Sequence, residues 1–247
     1  MGELLALSGI RKRFGRVLVA DGLDLTVGDG DAVGIIGPNG AGKSSLFGIV
    51  SGDLRPDSGE VMLSGRRVTD LPPQARCRLG IGRTYQVPRP FEHMTVFESV
   101  LVAAHQGGGL RGRVATARAA EVLAATGLLP VANQPAGRLT LVSRMRLEIA
   151  RALGAGPRLL LLDEVAGGLT DPEVAELVDT VARLRAGGLA VVWIEHVVQA
   201  LTSSVDRLLC LVGGLFVADG TPAEVLASPA VREAYLGGGL ELRGAVP

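Results

Sequence analysis

The 247-residue sequence predicts an α/β fold built around a mostly parallel sheet. Short apolar runs of strand length alternate with helical patterns along most of the chain. One run, DAVGII at residues 31–36, passes directly into a glycine-rich turn, GPNGAGKS, and then into a helix. Another, LLLLDE at residues 159–164, delivers two carboxylates at the C-terminal end of a strand, the edge where such sheets bind ligands.

The elements follow in order. DAVGII is a buried strand, and the helix after it starts at Lys43. SGEVMLSGRRV, residues 58–68, reads as a hairpin arm. Residues 87–153 are helix-dominated: MTVFESVLVAA, a gap at Gly107, Gly108 and Gly109, then VATARAAEVLAATG, then LTLVSRMRLEIARAL. In the last of these the helix is expected from Arg144 onward, with LTLVS as an irregular lead-in. LLLLDE and AVVWIEH are two further core strands. Between them TDPEVAELVDTVARLRAGG is a helix, capped by Thr170 or Asp171, with Pro172 in its first turn and glycines after Ala186. Its apolar face is Val174, Leu177, Val178, Val181 and Leu184. RLLCLVGGLFVADG is a hairpin turning at Gly213 and Gly214. Thr221 and Glu224 form a capping box that opens a helix to about Tyr235. A glycine-rich, loose tail follows Gly237.

Composition narrows the function. With 47% hydrophobic and 20% charged residues the chain can bury a sizeable core. A formal net charge of zero and no long basic run argue against a protein that binds nucleic acid by bulk electrostatics. Cys77 and Cys210 have neither metal-site spacing nor the look of a disulfide framework, which fits a reduced, cytoplasmic setting. Arg11, Lys12, Arg13 and Arg16 interrupt any signal peptide. The apolar runs LLLL and LAVVWI are too short to cross a bilayer, so a membrane role is expected only through a partner.

GPNGAGKS, residues 37–44, matches the phosphate-binding pattern G-x-x-x-x-G-K-[ST], between strand and helix as the chemistry requires. Glycines let backbone N–H groups turn toward phosphate oxygens, and the helix N-terminus adds a favourable dipole. Lys43 is expected to reach the β- and γ-phosphates and the Ser44 hydroxyl to ligate Mg²⁺. Only two of the 25 Lys and Arg residues are lysines, so the lysine here runs against the chain's own bias. A compact ammonium fits such a loop and a bulky guanidinium does not. In LLLLDE, Asp163 is the expected Mg²⁺ holder, through water, and Glu164 the group that polarises an attacking water. A third core strand brings His196 to the same edge, within reach of a γ-phosphate.

Together these residues resemble the ATP-binding subunits of ABC transporters, over essentially the whole chain. The resemblance implies a P-loop NTPase (RecA-like) core with an antiparallel β subdomain and a helical subdomain. On this chain that divides into residues 1–86 and 154–236 as the core with its N-terminal β subdomain, 87–153 as the helical subdomain, and 237–247 as the tail. It implies that Phe14 in KRFG stacks on adenine, and that Gly37, Asn39, Gly40, Ala41, Gly42, Lys43, Ser44 and Ser45 hold ATP. Gln86 in RTYQ matches the Q-loop, which touches Mg²⁺ and the attacking water and relays nucleotide state to a membrane subunit. His196 is the switch histidine. GRTYQVPRPFEHMTVFESVLVAA and DGTPAEVLASPAVREAYLGG look most like the branched-chain amino acid importer type. The implied partners are integral membrane permease subunits, a second ATPase subunit (a different chain or another copy), and indirectly a substrate-binding protein, with the chain peripheral on the cytoplasmic membrane face.

Two departures stand out. Val165 replaces the proline usual after the two carboxylates. At the position of the L-S-G-G-Q signature, which caps the ATP held by the other subunit, the chain reads Leu139-Thr140-Leu141-Val142-Ser143. Thr140 and Ser143 can supply hydroxyls there. Leu141 and Val142 cannot imitate glycine, because bulk obstructs close backbone approach and a β-branched residue resists positive φ. Three functions remain to be separated: an ATP-hydrolysing importer subunit, a nucleotide-gated subunit that hydrolyses little, and, opposed by the neutral charge and the single ATPase half, an ATPase acting on nucleic acid.

Overall fold

A computed structural model describes residues 2–88, 90–196 and 198–236 of the chain. Two long antiparallel strands open it, β1 (Glu3–Phe14) and β2 (Val17–Gly28), followed by β3 (Ala32–Ile36) and the nine-residue helix α1 (Lys43–Ser51). β4 (Ser58–Leu63) and β5 (Arg66–Arg67) form the expected hairpin. The first pair falls in the antiparallel β subdomain that the resemblance implies, though no residue pattern marks its two strands. β1 carries Arg11, Lys12 and Arg13 and pairs with β2 through several register shifts, so neither strand shows a clean two-residue alternation.

α2 (Pro73–Arg78) and β6 (Ile81–Arg83) come next. Arg76 in α2 is 1% exposed and donates to the carbonyls of Ile49 at 2.6 Å and Val50 at 2.9 Å. It thereby satisfies the carbonyls that the end of α1 leaves open. Among the described residues three α-helices then run between β6 and β7: α3 (Val96–Gln106), α4 (Gly112–Ala125) and α5 (Leu141–Gly154). α3 starts in a Thr95–Glu98 capping box.

β7 (Leu159–Asp163), α6 (Asp171–Ala186), β8 (Ala190–Ile194), α7 (Val198–Thr202), β9 (Arg207–Val212) and β10 (Leu215–Gly220) complete the alternation. Thr170 is the cap of α6, boxed with Glu173. The helix expected from Thr221 to about Tyr235 is two, α8 (Pro222–Ala227) and α9 (Pro229–Leu236). Pro229 cannot donate to the preceding turn and pushes Ser228 into an extended conformation, which ends α8. The tail expected to be loose, 237–247, lies outside the described residues.

The larger sheet has the order β10-β9-β3-β8-β7-β6, with every pair parallel except the β9–β10 hairpin; the smaller runs β2-β1-β4-β5. The central strands are buried on both faces, and their side chains divide by alternation. Leu160, Leu162, Val191 and Trp193 join one core with the buried faces of α3 to α6. Leu159, Leu161, Val192 and Ile194 join another with α1 and the antiparallel sheet. This double burial is why those strands read as unbroken apolar runs. Cys77 and Cys210 are free thiols.

Candidate functional site

β3, β8, β7 and β6 are parallel neighbours, so their C-terminal ends share one edge of the sheet. The phosphate-type loop follows β3, His196 follows β8, Asp163 and Glu164 end β7, and Gln86 follows β6. The topology therefore gathers residues up to 159 positions apart, counting from Gly37 to His196, at a single site.

The loop is fixed by close approach. A Cβ added at Gly37 would lie 2.1 Å from the Leu211 carbonyl oxygen, and one at Gly42 would lie 2.1 Å from that of Val19. Gly42 also has φ 109°, open to glycine alone. It precedes α1 with no side-chain cap and no acidic residue in the first turn, so the leading N–H groups of the helix are left for an anion. Lys43 is 5% exposed and donates from Nζ to the carbonyls of Gly37 at 2.7 Å and Pro38 at 3.1 Å. Burial lowers its pKa, and the charges of Glu164 and Asp163 work against that. A cavity of about 390 Å³ is lined by Asn39, Gly40, Ala41, Gly42, Lys43, Ser44 and Ser45 together with Gln86, Glu164, Val17 and Val19.

The two carboxylates are held differently. Asp163, 3% exposed, donates its backbone N–H to Thr84 Oγ1 at 3.1 Å, and its Oδ2 accepts from Arg83 at 3.1 Å. Its Oδ1 is buried with no hydrogen-bond partner among the described residues. Burial raises the Asp163 pKa, with Arg83 pulling it down. Glu164 has φ 50°, rare for a residue with a side chain, and its N–H donates to the Ile194 carbonyl at 2.9 Å. Its carboxylate accepts from the Gln86 side-chain amide on one oxygen and from His196 Nε2, at 2.7 Å, on the other. Val165 after it is fully buried.

Phe14 lies at the end of β1, 49% exposed, with Lys12 Nζ 5.5 Å from its ring centre, and does not line the cavity. Val17 and Val19, alternate residues of β2, line it instead. Thr140 is the N-cap of α5: its Oγ1 accepts the Ser143 N–H at 3.3 Å and its hydroxyl lies 3.2 Å from Ser143 Oγ. Neither residue lines the cavity of its own chain. The helix therefore begins at Leu141, not Arg144. Leu141 and Val142 sit in its first turn, and neither is among the non-glycine residues of positive φ. The backbone there makes no demand for glycine, so only the bulk of the two side chains sets them apart from it.

Sequence reading passed over Val17, Val19, Arg83, Thr84 and Glu195. Arg83 and Thr84 stood inside RTYQ, and a basic residue in a short core strand was the available signal.

The family model described as ABC transporter matches residues 20–167, and the one described as branched-chain amino acid ATP-binding cassette transporter matches residues 217–241. The chain is 38% identical over 249 aligned residues to the high-affinity branched-chain amino acid transport ATP-binding protein LivG of Salmonella typhimurium, covering 95% of this chain and 98% of that protein. It is 37% identical to the corresponding BraF of Pseudomonas aeruginosa, with the same coverage. Among solved structures it is similar to the ADP conformation of an ATP-binding cassette of an ABC transporter, with TM-score 0.87, 30% identity, and coverage of 96% of this chain and 100% of that one.

Proposed function

Since this chain belongs to the ABC transporter ATP-binding family, we propose that it hydrolyses ATP at its own loop to energise import of branched-chain or related amino acids through separate membrane subunits. The observation that carries the reading is Glu164, held between Gln86 and His196 on the rim of the cavity that contains Lys43. Gly37, Asn39, Gly40, Ala41, Gly42, Lys43, Ser44 and Ser45 cradle the phosphates. Glu164 accepts a proton from water aligned for in-line attack on the γ-phosphorus, the bond to ADP breaks, and phosphate leaves. His196 orients Glu164 and contacts the γ-phosphate. Little covalent chemistry falls to the protein, so positioning and charge do most of the work.

Ser44, Asp163 and Gln86 offer hard oxygen donors, and the unpartnered Asp163 Oδ1 suits a site that completes itself with substrate oxygens. They would hold Mg²⁺, which when bound neutralises phosphate charge. Phe14 is assigned to the adenine with Val17 and Val19 beside it. The permease fits a groove of about 280 Å³ between β6, α2, α3 and α5, where Tyr85, Phe91 and Val102 expose apolar surface next to Gln86. Among the described residues no helix is long and apolar enough to cross a membrane, which suits a peripheral subunit on the cytoplasmic face.

Thr140 and Ser143 would face the nucleotide of a second ATPase subunit. A weakly hydrolysing, regulatory subunit is the second reading, favoured by Leu141, 47% exposed in the first turn of α5, beside Val142. A heterodimer with a chain carrying an intact signature would make the composite site on this chain's loop the active one. The test is uptake of labelled leucine, isoleucine and valine by vesicles bearing the assembled transporter. Uptake that needs ATP and disappears with Lys43→Ala supports the proposal. ATP-driven uptake of another solute class, with none of these three, removes the amino-acid assignment. Uptake unaffected by Lys43→Ala removes the ATPase role of this chain.

A further inference from the structure

Directly before His196 the chain buries a second carboxyl that the mechanism above does not use. Glu195 is 1% exposed at the end of β8, whose five residues are all apolar and buried. Its Oε1 accepts the Ala166 backbone N–H at 2.7 Å and the Trp193 indole N–H at 3.1 Å. Both partners are donors, so the group serves as an acceptor hub. Burial pushes it up to about 7; these hydrogen bonds oppose the rise and the nearby charge of Glu164 adds to it. A leucine at that position would avoid the cost of burying a carboxyl.

The bonds connect two segments that matter. Ala166 lies two residues beyond Glu164, in a turn where Glu164 holds a φ of 50°. Two contacts to the end of β8 hold that turn: Glu164 N–H to the Ile194 carbonyl and Ala166 N–H to Glu195. The same strand end carries His196, whose Nε2 is 2.7 Å from Glu164. A strained residue keeps its conformation only where its surroundings over-determine it.

We propose that Glu195 is a positioning residue for hydrolysis: its buried carboxyl clamps the turn after β7 to the end of β8 and so sets Glu164 and His196 against each other and against the γ-phosphate. The inference rests on the reading that Glu164 and His196 act in hydrolysis. It also supplies its own reporter, because Trp193 is the only tryptophan in the chain and its indole N–H is one arm of the clamp.

The experiment compares Glu195→Leu, Glu195→Gln and Glu164→Gln, each in the full chain assembled with its membrane subunits, by steady-state phosphate release and ATP binding. Trp193 emission is read on the isolated full-length chain. Glu195→Leu should lower kcat about 10- to 100-fold, the scale of a slight misplacement of reacting groups, with the KM for ATP within about twofold of wild type. Its Trp193 emission should shift to the blue. Glu195→Gln keeps an oxygen acceptor and should restore most of the rate and the emission. Wild-type kcat in Glu195→Leu while Glu164→Gln loses turnover overturns the clamp alone. A loss in Glu195→Leu that falls on KM as much as on kcat, or that Glu195→Gln does not restore, also overturns it, since general structural damage would behave so. Undiminished turnover in Glu164→Gln overturns the underlying reading, and the clamp with it.

Discussion

Replacing Arg83 by leucine should reveal how far the buried end of β7 depends on one cation. The Arg83 side chain is 12% exposed and reaches three groups: Asp163 Oδ2 at 3.1 Å, Asp53 Oδ2 at 3.0 Å and Ser51 Oγ at 3.0 Å. Its guanidinium also lies 5.1 Å from the ring centre of Tyr85 and 5.9 Å from that of Phe47. Asp53 is partly solvated and survives the loss. Asp163, its side chain 4% exposed, does not. Removing one partner of a buried ion pair typically costs about 3–5 kcal/mol, because the other charge stays buried without compensation. Burial already raises the Asp163 pKa against the pull of Arg83, so the substitution raises it further. A raised carboxyl favours the folded state most when protonated. The deficit should therefore be full at pH 7.5 and shrink as pH falls through the raised pKa. Urea denaturation at pH 7.5 and pH 5 measures it, and Arg83→Leu combined with Asp163→Asn should recover about half or more of the loss. A cost below about 1 kcal/mol, a deficit independent of pH, or additive single substitutions would refute the reasoning.

Gly42→Ala forces a Cβ to 2.1 Å from the Val19 carbonyl oxygen, whereas at Gly30, φ 77° and outside the cavity, an added Cβ meets nothing within 4 Å. The first should abolish nucleotide binding and the second should cost only the left-handed penalty of about 1–2 kcal/mol; equal melting shifts and equal affinities would contradict the packing. Leu141→Gly with Val142→Gly should lower stability by about 1–2 kcal/mol, as glycine does in helices, and raise ATP turnover of the assembled complex; unchanged or slower turnover counts against an obstructed partner site. Glu195 has its pKa raised from 4.5 to about 7, so folding is favoured most below pH 4.5 and about 3 kcal/mol is lost as pH rises through 7. Glu195→Gln should flatten that slope in urea midpoints taken from pH 5 to pH 8, and an identical slope in both chains would refute it.

The central strands and the phosphate loop were legible because their signals are local: double burial makes uninterrupted apolar runs, and the loop's glycines sit where backbone crowds backbone. β1 and β2 were implied only through the resemblance and not by their own residues, because bulged pairing breaks their alternation and charges interrupt one of them. The start of α5 was misplaced by three residues because Thr140, read as a ligand hydroxyl, also serves as an N-cap. Glu195 stood unremarked inside AVVWIEH, ahead of the histidine. Its role depends on Ala166, 29 positions away, and no pattern within either segment reveals that meeting.

The most direct test is phosphate release by the assembled complex at saturating ATP, wild type against Glu164→Gln, with ATP affinity measured in parallel. Turnover should fall at least about 100-fold, the scale of a lost general base, while ATP affinity is retained. Undiminished turnover would show that the site on this chain is not the one that hydrolyses ATP.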